Sequence, residues 1–371
     1  MLPDFNAREN MKSDTANNSG KWFKAVVISV LALVCGSALL VFIFDPYYRY
    51  RWPVFYDALY YKSYATAPRL FRQFDFDMLM LGSSMAGNFF ISDIDNEFKC
   101  KSLKISVDGA SSYDLKKLFD YAVAVKGGKI KQVIYLFDIY AVNKTQKRCE
   151  QFDYMYRQDF SEEYRYLFDK ESLESVWYIL KRPYRLKDTR KYQTDFNRMF
   201  FSEHDKSRYS MERVKASAAE CAATGVRAAV GYHGYRDIVK SEILPVFDNH
   251  PDIKFTVIMP PYHLYALCLS EYFGEAEIFL KQKTEILSEL VKRKNVRVID
   301  LQCEPEIVCD GQYYTDVQHY SSLLAKKILK YAATDKYLLR GREDVAYNED
   351  KLRKMVKDAM PQFRNDIRVT K

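Results

Sequence analysis

The sequence lacks the residue clusters that bind metal ions. Its seven cysteines are scattered along the chain without a C-x-x-C pair, and its five histidines form no group with Asp or Glu at metal-ligand spacing. Structural zinc sites need such closely spaced pairs, so we expect neither a metal nor another cofactor. A disulfide between Cys303 and Cys309 and a pair of buried thiols remain alternatives.

The sequence also lacks a concentrated charge of either sign. The 57 basic and 49 acidic residues give a net charge of +8, and the excess is spread along the 371 residues. Nucleic-acid-binding proteins concentrate basic residues in patches or runs, so this distribution argues against a nucleic-acid partner. No internal repeat is evident, which argues against a solenoid.

Charge is absent altogether from one segment, residues 25–44. These 20 residues are long enough to cross the hydrocarbon core of a membrane as a helix. A cleaved signal peptide is the alternative, but the apolar stretch exceeds its usual core of about 7–15 residues and no small-x-small cleavage site follows. Aromatic residues flank the segment, as is typical of membrane interfaces: Trp22, Tyr47, Tyr48, Tyr50 and Trp52. We predict a single transmembrane helix over 25–44, preceded by a disordered polar segment over 1–24.

The basic residues beside this segment bear on its orientation. Four precede it and three follow it: Arg8, Lys12, Lys21 and Lys24, then Arg49, Arg51 and Lys62. The positive-inside rule then favours a cytoplasmic N-terminus and a C-terminal domain outside the cytoplasmic (inner) membrane. A domain that faces the cytoplasm is the alternative.

The rest of the chain is long enough for one enlarged α/β domain or two domains. After a connector over 45–74, short apolar runs alternate with helical patterns across 75–335, which predicts a parallel sheet with helical crossovers. A charged, aromatic-rich helical insertion over 145–230 interrupts the alternation, and a charged tail follows over 336–371. The predicted strands are residues 77–81, 104–107, 132–137, 254–259 and 295–300.

Polar motifs fall where parallel-sheet proteins place their active sites, at the carboxyl ends of strands. Ser84 follows the first strand, and Asp316 and His319 lie at Asp-x-x-His spacing before a helix predicted over His319–Ala333. Such an Asp can orient the imidazole, and the His can take the serine proton as general base. Gly109 follows the second strand, where its backbone N–H can point to a developing oxyanion. An Asp that caps the helix and a glycine that only permits a turn are the alternatives.

Together these motifs resemble the sequence blocks of the SGNH (GDSL-like) hydrolase superfamily. Gly82-Ser83-Ser84-Met85 is similar to the Gly-Asp-Ser-Leu block, Gly109 to the glycine of the second block, and Asp316 with His319 to the Asp-x-x-His block. The resemblance covers roughly residues 75–145 and 235–333. It implies a three-layer α/β/α domain with a catalytic triad of Ser84, His319 and Asp316.

With its N-terminal anchor, the chain resembles the membrane-anchored SGNH-like proteins of D-alanine transfer and of polysaccharide O-acetylation. That resemblance implies an acyl esterase or acyltransferase that acts on a cell-envelope glycan, with a membrane-bound O-acyltransferase as partner. It also implies an oxyanion hole formed by the backbone N–H groups of Ser84 and Gly109.

The third block of the family departs from its pattern in this sequence. The family has an oxyanion-donating Asn there, whereas this chain has Asp138, which cannot donate while ionised. Asn143 is the nearest candidate replacement, and His263 is a candidate substrate-binding residue at the end of a strand. The alternative function is therefore a non-catalytic SGNH-fold interaction protein of an envelope polysaccharide assembly.

Overall fold

The computed structural model describes residues 5–53, 56, 62–157, 162–181, 208–225 and 234–369, with side chains except for 5–19, 143 and 369. The predicted insertion over 145–230 lies partly outside these residues. Within the described ranges the α-helices are α1 Phe5–Phe44, α2 Ser63–Gln73, α3 Ile91–Phe98, α4 Ser112–Lys126, α5 Arg148–Gln151, α6 Asp153–Tyr156, α7 Glu163–Phe168, α8 Lys170–Leu180, α9 Met211–Thr224, α10 Tyr235–Ile238, α11 Leu244–Asp248, α12 Leu264–Tyr272, α13 Ala276–Leu290, α14 Pro305–Val308, α15 Ser322–Ala333 and α16 Arg342–Val369.

The chain divides into two compact units, each built from two separate segments. We call Met1–Leu59 with Arg157–Lys187 the anchor unit, and Tyr60–Tyr156 with Asp188–Lys371 the sheet unit. The division differs from the predicted one, because the sheet unit begins within the predicted connector and extends through the predicted tail. The predicted insertion contributes to both units.

The sheet unit contains a six-stranded sheet in the order β2-β1-β3-β4-β5-β6. The first five strands run parallel and β6 runs antiparallel to β5. Buried apolar residues fill these strands because helices cover a parallel sheet. The prediction of an α/β fold with a parallel sheet is confirmed. The bounds are β1 Met78–Gly82, β2 Ser102–Ser106, β3 Gln132–Leu136, β4 Lys254–Met259, β5 Val296–Asp300 and β6 Leu338–Leu339.

The C-terminal helix α16 belongs to the core of the sheet unit. It packs against α9, α12 and α13. Its inward positions follow helical periodicity, so one apolar stripe is buried while the other face carries charge. The buried residues of this stripe are Val345, Leu352, Val356, Met360, Phe363 and Ile367.

The anchor unit begins with α1, which starts at Phe5, 20 positions before the predicted start of the transmembrane helix. Its part from Gly20 to Phe44 is long and apolar enough to cross a membrane. Residues 1–24 were predicted to be disordered, whereas in the structure the helix already begins at Phe5. The chain then turns at Asp45, whose carboxylate accepts the amides of the three residues Arg49, Tyr50 and Arg51 at 2.7–2.8 Å.

All seven cysteines are free thiols. Cys303 is fully buried and Cys309 is exposed, and the short helix α14 lies between them. The structure therefore has no disulfide between Cys303 and Cys309, and Cys303 fits the alternative of a small buried residue.

Candidate active site

Ser84 lies on a tight turn at the carboxyl end of β1. The strand ends at Gly82, and Ser84 begins a 3-10 turn that ends at Ala86. A Cβ on Gly82 would come within 2.9 Å of the Cβ atoms of Ala86 and Leu136, so a larger residue would force the strand and the turn apart. The glycine therefore lets the chain reverse closely enough to present the Ser84 hydroxyl at the sheet edge.

Ser84, His319 and Asp316 form a continuous chain of hydrogen bonds. Ser84 Oγ lies 2.9 Å from His319 Nε2, and His319 Nδ1 lies 2.8 Å from Asp316 Oδ2. Asp316 Oδ1 also accepts the backbone amides of Gln318 and His319, each at 2.7 Å. These bonds fix the carboxylate, which in turn fixes the imidazole with Nε2 facing the serine.

The electrostatics of this chain suit a general base. Burial disfavours the imidazolium, but the hydrogen bond and charge of Asp316 outweigh it, so the pKa of His319 is raised above its ordinary value. Burial likewise disfavours the carboxylate, yet the contact with His319 holds the pKa of Asp316 below its ordinary value. With Nδ1–H directed to Asp316, Nε2 can accept the proton of the serine hydroxyl.

The neighbouring serine has a different environment. Ser83 is buried, and its hydroxyl donates to Asp138 Oδ2 at 3.0 Å. Asp138 Oδ1 accepts the Tyr262 hydroxyl at 2.5 Å and the Tyr140 amide at 3.1 Å. Asp138 thus binds together the ends of β1, β3 and β4, and Ser84 alone of the two serines faces the histidine.

Gly109 lies in the turn beside Ser84 because β1 and β2 pair in parallel. Gly82 is in register with Ser106, and the amide of Val107 donates to the Gly82 carbonyl at 3.0 Å. Gly109 has a φ of +62°, and a Cβ there would lie 3.2 Å from the Arg148 guanidinium. Both the backbone conformation and the space available therefore favour glycine. Asn143 ends a 3-10 turn that starts at Ile139, but its side chain lies outside the described residues, so its predicted role remains a prediction.

Two tethers hold the serine turn against the histidine segment. Tyr320 OH donates to the Met85 carbonyl at 3.0 Å, and Asn88 Nδ2 donates to the Tyr320 carbonyl at 2.5 Å.

The segment after the serine turn is also held from β2. Lys104, buried on β2, donates from Nζ to the carbonyls of Gly87 at 2.9 Å and Phe89 at 2.7 Å. Burial lowers the pKa of Lys104 well below its ordinary value.

A cavity of about 430 Å³ opens onto the triad. One wall is apolar and consists of Ala266 and Leu269 on α12 and Phe273 directly after it. Lys144 adds a positive charge to the lining. The sequence motifs missed these residues and Lys104, because only the fold brings them to the site. A continuous apolar run after Pro260-Pro261 was the available signal for α12.

His263 lies apart from this cavity lining among the described residues. It is 2% exposed, and its Nδ1 accepts the amide of Tyr265 at 3.1 Å, which caps the start of α12. Burial lowers its pKa to about 4, so it stays neutral. Its observed role is to begin the helix that forms the apolar wall, and the geometry does not bring it to the predicted substrate-binding position.

The fold and the site define an α/β protein with a serine, a histidine and an aspartate joined by hydrogen bonds at the carboxyl edge of a parallel sheet. Such an arrangement can carry out acyl transfer through a covalent serine. No protein-family model matches the chain, and no curated protein matches it either.

Proposed function

We propose that the protein is a membrane-anchored, SGNH-like acyl esterase or acyltransferase that acts on a cell-envelope glycan. The observation that supports this most strongly is the hydrogen-bonded chain from Ser84 Oγ through His319 to Asp316, with 2.9 Å and 2.8 Å between the bonded atoms. A serine placed within reach of an oriented base is the arrangement that activates a hydroxyl as nucleophile.

The proposed reaction has two steps. Ser84 Oγ attacks the acyl carbonyl while His319 Nε2 takes its proton, and the tetrahedral intermediate collapses when His319 returns the proton to the departing alcohol. Water or a sugar hydroxyl then attacks the acyl-Ser84 ester, again with His319 as base, and the serine is regenerated. Asp316 stabilises the imidazolium at each stage without taking the proton.

The proposed oxyanion hole consists of the backbone N–H groups of Ser84 and Gly109. The position of Gly109 beside the Ser84 turn supports this assignment, since both follow neighbouring parallel strands. Asn143 is the candidate for a third donor. The carboxylate of Asp138 cannot donate while ionised and is already accepting three hydrogen bonds.

The proposed location follows from α1. A single-pass helix in the cytoplasmic membrane, with the sheet unit exported, would place the chemistry near envelope glycans and near a membrane-bound O-acyltransferase as acyl source. The apolar cavity wall suits the acyl group, and the polar remainder suits a sugar. The positive-inside bias of the flanking basic residues supports the orientation.

The second candidate is a non-catalytic interaction protein of an envelope polysaccharide assembly. The observation that favours it is Asp138, which stands where the resemblance implies an oxyanion-donating Asn. Loss of one such donor lowers rates by about 10²–10³ in well-studied hydrolases.

A fluorophosphonate probe on the full chain in detergent distinguishes the two candidates. We expect labelling of the native protein, retention of labelling in Ser83→Ala and loss in Ser84→Ala, because only Ser84 faces His319. The adjacent serine makes Ser83→Ala a matched control. Labelling that persists in Ser84→Ala would contradict the nucleophile assignment, and a folded native protein without labelling would favour the non-catalytic candidate.

A further inference from the structure

The anchor unit exposes large apolar side chains on two short helices, α7 and α8. Tyr164 is 61% exposed and Trp177 is 60% exposed. Three more residues complete the set that we call the aromatic face: Phe168, Tyr178 and Leu180. Clusters of this kind on a protein surface mark places where another apolar phase or molecule is bound.

The inward face of α8 is less bulky than the outward one. Ser172, Ser175, Val176 and Ile179 are buried at helical spacing, while Trp177 and Tyr178 point away from them. A helix on the surface of a water-soluble domain usually shows the opposite pattern, with polar residues outward. The outward side of α8 carries the exposed ion pair Lys170–Glu174 in its first half and becomes apolar in its last turn, at Trp177, Tyr178 and Leu180.

Both helices are fixed at the end of the candidate membrane span. Tyr47, three positions after Phe44, donates its hydroxyl to the Glu171 carbonyl at 3.1 Å and lies 3.0 Å from Ser175 Oγ. Arg49 pairs with Glu163 through both carboxylate oxygens, at 2.7 and 2.9 Å.

These bonds are shielded from water by their surroundings. The side chain of Arg49 is only 6% exposed, and the hydroxyl of the buried Tyr166 donates to Asp45 Oδ1 at 2.7 Å. Because these bonds join α7 and α8 to the six residues that follow Phe44, the two helices cannot lie far from the level at which α1 leaves the membrane.

We propose that the aromatic face of α7 and α8 lies in the headgroup region of the lipid bilayer that α1 spans. Tyr and Trp prefer this depth because their rings are apolar while the hydroxyl and indole N–H remain near water. The Lys181 ammonium lies 5.0 Å from the Trp177 ring centroid, where it can reach lipid phosphates from the same surface. The proposal needs α1 to span the membrane but is independent of the chemistry at Ser84.

Fluorescence of Trp177 in the full chain tests this, with the protein in phosphatidylcholine–phosphatidylglycerol nanodiscs. Trp22→Phe and Trp52→Phe leave Trp177 as the single indole. We expect strong quenching by lipids that carry a nitroxide near the headgroup, weaker quenching by lipids that carry it near the chain end, and weak quenching by aqueous iodide.

A matched reference places the single indole in the sheet unit instead, with Leu323→Trp and Trp177→Phe. Leu323 is 61% exposed, close to the 60% exposure of Trp177, so the two positions have similar access to solvent. A ratio of lipid to iodide quenching that is several-fold higher at Trp177 supports the proposal. Equal ratios would overturn it, and so would protection of Trp177 from both quenchers, which would point to a protein partner on this face.

Discussion

Two carboxylates at the same sheet edge, Asp316 and Asp138, have opposite environments. The side chain of Asp316 is about one third exposed and binds one titratable partner, His319. Asp138 is buried and accepts bonds from the hydroxyls of Ser83 and Tyr262 and one backbone amide, none of which changes protonation near neutral pH. The first carboxylate bonds directly to the base and raises its pKa, whereas the second acts on the base only through charge and holds three strand ends together. The contrast separates residues that act in the proposed chemistry from residues that support it.

The largest expected effect is loss of the nucleophile. Ser84→Ala should reduce hydrolysis of a chromogenic short-chain ester by a factor on the order of 10⁶, as when a serine hydrolase loses its nucleophile. The native rate and the Ser84→Ala rate are compared at equal concentrations of folded protein. Ser83→Ala should keep activity within about tenfold, since the Ser83 hydroxyl donates to Asp138 and accepts the Met85 amide but does not bond to His319. Similar losses of activity in Ser83→Ala and Ser84→Ala would contradict the assignment of Ser84 alone as the nucleophile.

Asp316→Asn should come next, with a loss on the order of 10⁴ in rate. The native pH profile should show activity falling as pH drops through a value above 6.5, because the raised pKa of His319 extends the protonated, inactive form upward. Removing the Asp316 charge should move that limb to lower pH. Asp108→Asn is the matched control, because Asp108 acts on His319 through charge without a direct hydrogen bond and should shift the limb less. A limb that stays in place in Asp316→Asn would exclude His319 as the titrating base.

Lys104→Met tests the support of the serine turn. The methionine side chain is unbranched and only one atom shorter, but it leaves the carbonyls of Gly87 and Phe89 without the Lys104 donor, so the free energy of unfolding should fall by about 1–3 kcal/mol. Displacement of Ser84 should lower kcat by about 10²-fold or less while KM changes little. The pH limb should stay where it is, because Lys104 does not face His319. A shift of the acidic limb of the pH–activity profile in Lys104→Met would show that Lys104 affects the titrating group.

Asp138→Asn should have the smallest effect on rate, within about tenfold. The amide has one acceptor oxygen where the carboxylate has two, so Ser83 or Tyr262 loses its acceptor and unfolding should become easier by about 1–3 kcal/mol. Thermal unfolding measures the stability, and the ester assay measures the rate. A gain in rate above tenfold would show that the new amide serves as an oxyanion donor, which would place residue 138 among the acting residues.

The strands β1 to β5 were predictable because each is a short, mostly apolar run, and a polar residue or glycine ends β1, β2 and β5. The prediction for β4 matches its bounds, and that for β1 is displaced by one residue. β6 was missed because two residues carry no periodic signal, and α12 because it is apolar on all sides. The disulfide was not predictable either way, since the separation of the two thiols depends on α14.

The residues of the site were predictable from the sequence, but the contacts that hold them in place were not. The prediction put His319 at the start of a helix, whereas α15 begins at Ser322 and His319 lies in the loop before it. Asp316 reaches His319 because its Oδ1 accepts two amides of a tight turn, not because of helical spacing. The hydrogen bond from Ser83 to Asp138, which is 55 residues away, could not be predicted from the sequence around either residue.

If α1 spans a membrane as proposed, the division of the chain has a consequence for release of the protein by proteolysis. The polypeptide passes between the anchor and sheet units three times, because each unit is made of two segments that alternate along the sequence. A protease that cut only after Phe44 would leave residues 157–187 attached to the sheet unit but would remove α1, which contacts both α7 and α8. If α1 anchors the protein as proposed, a single cut is therefore expected to yield an aggregating fragment rather than a freely diffusing one, so this architecture discourages shedding.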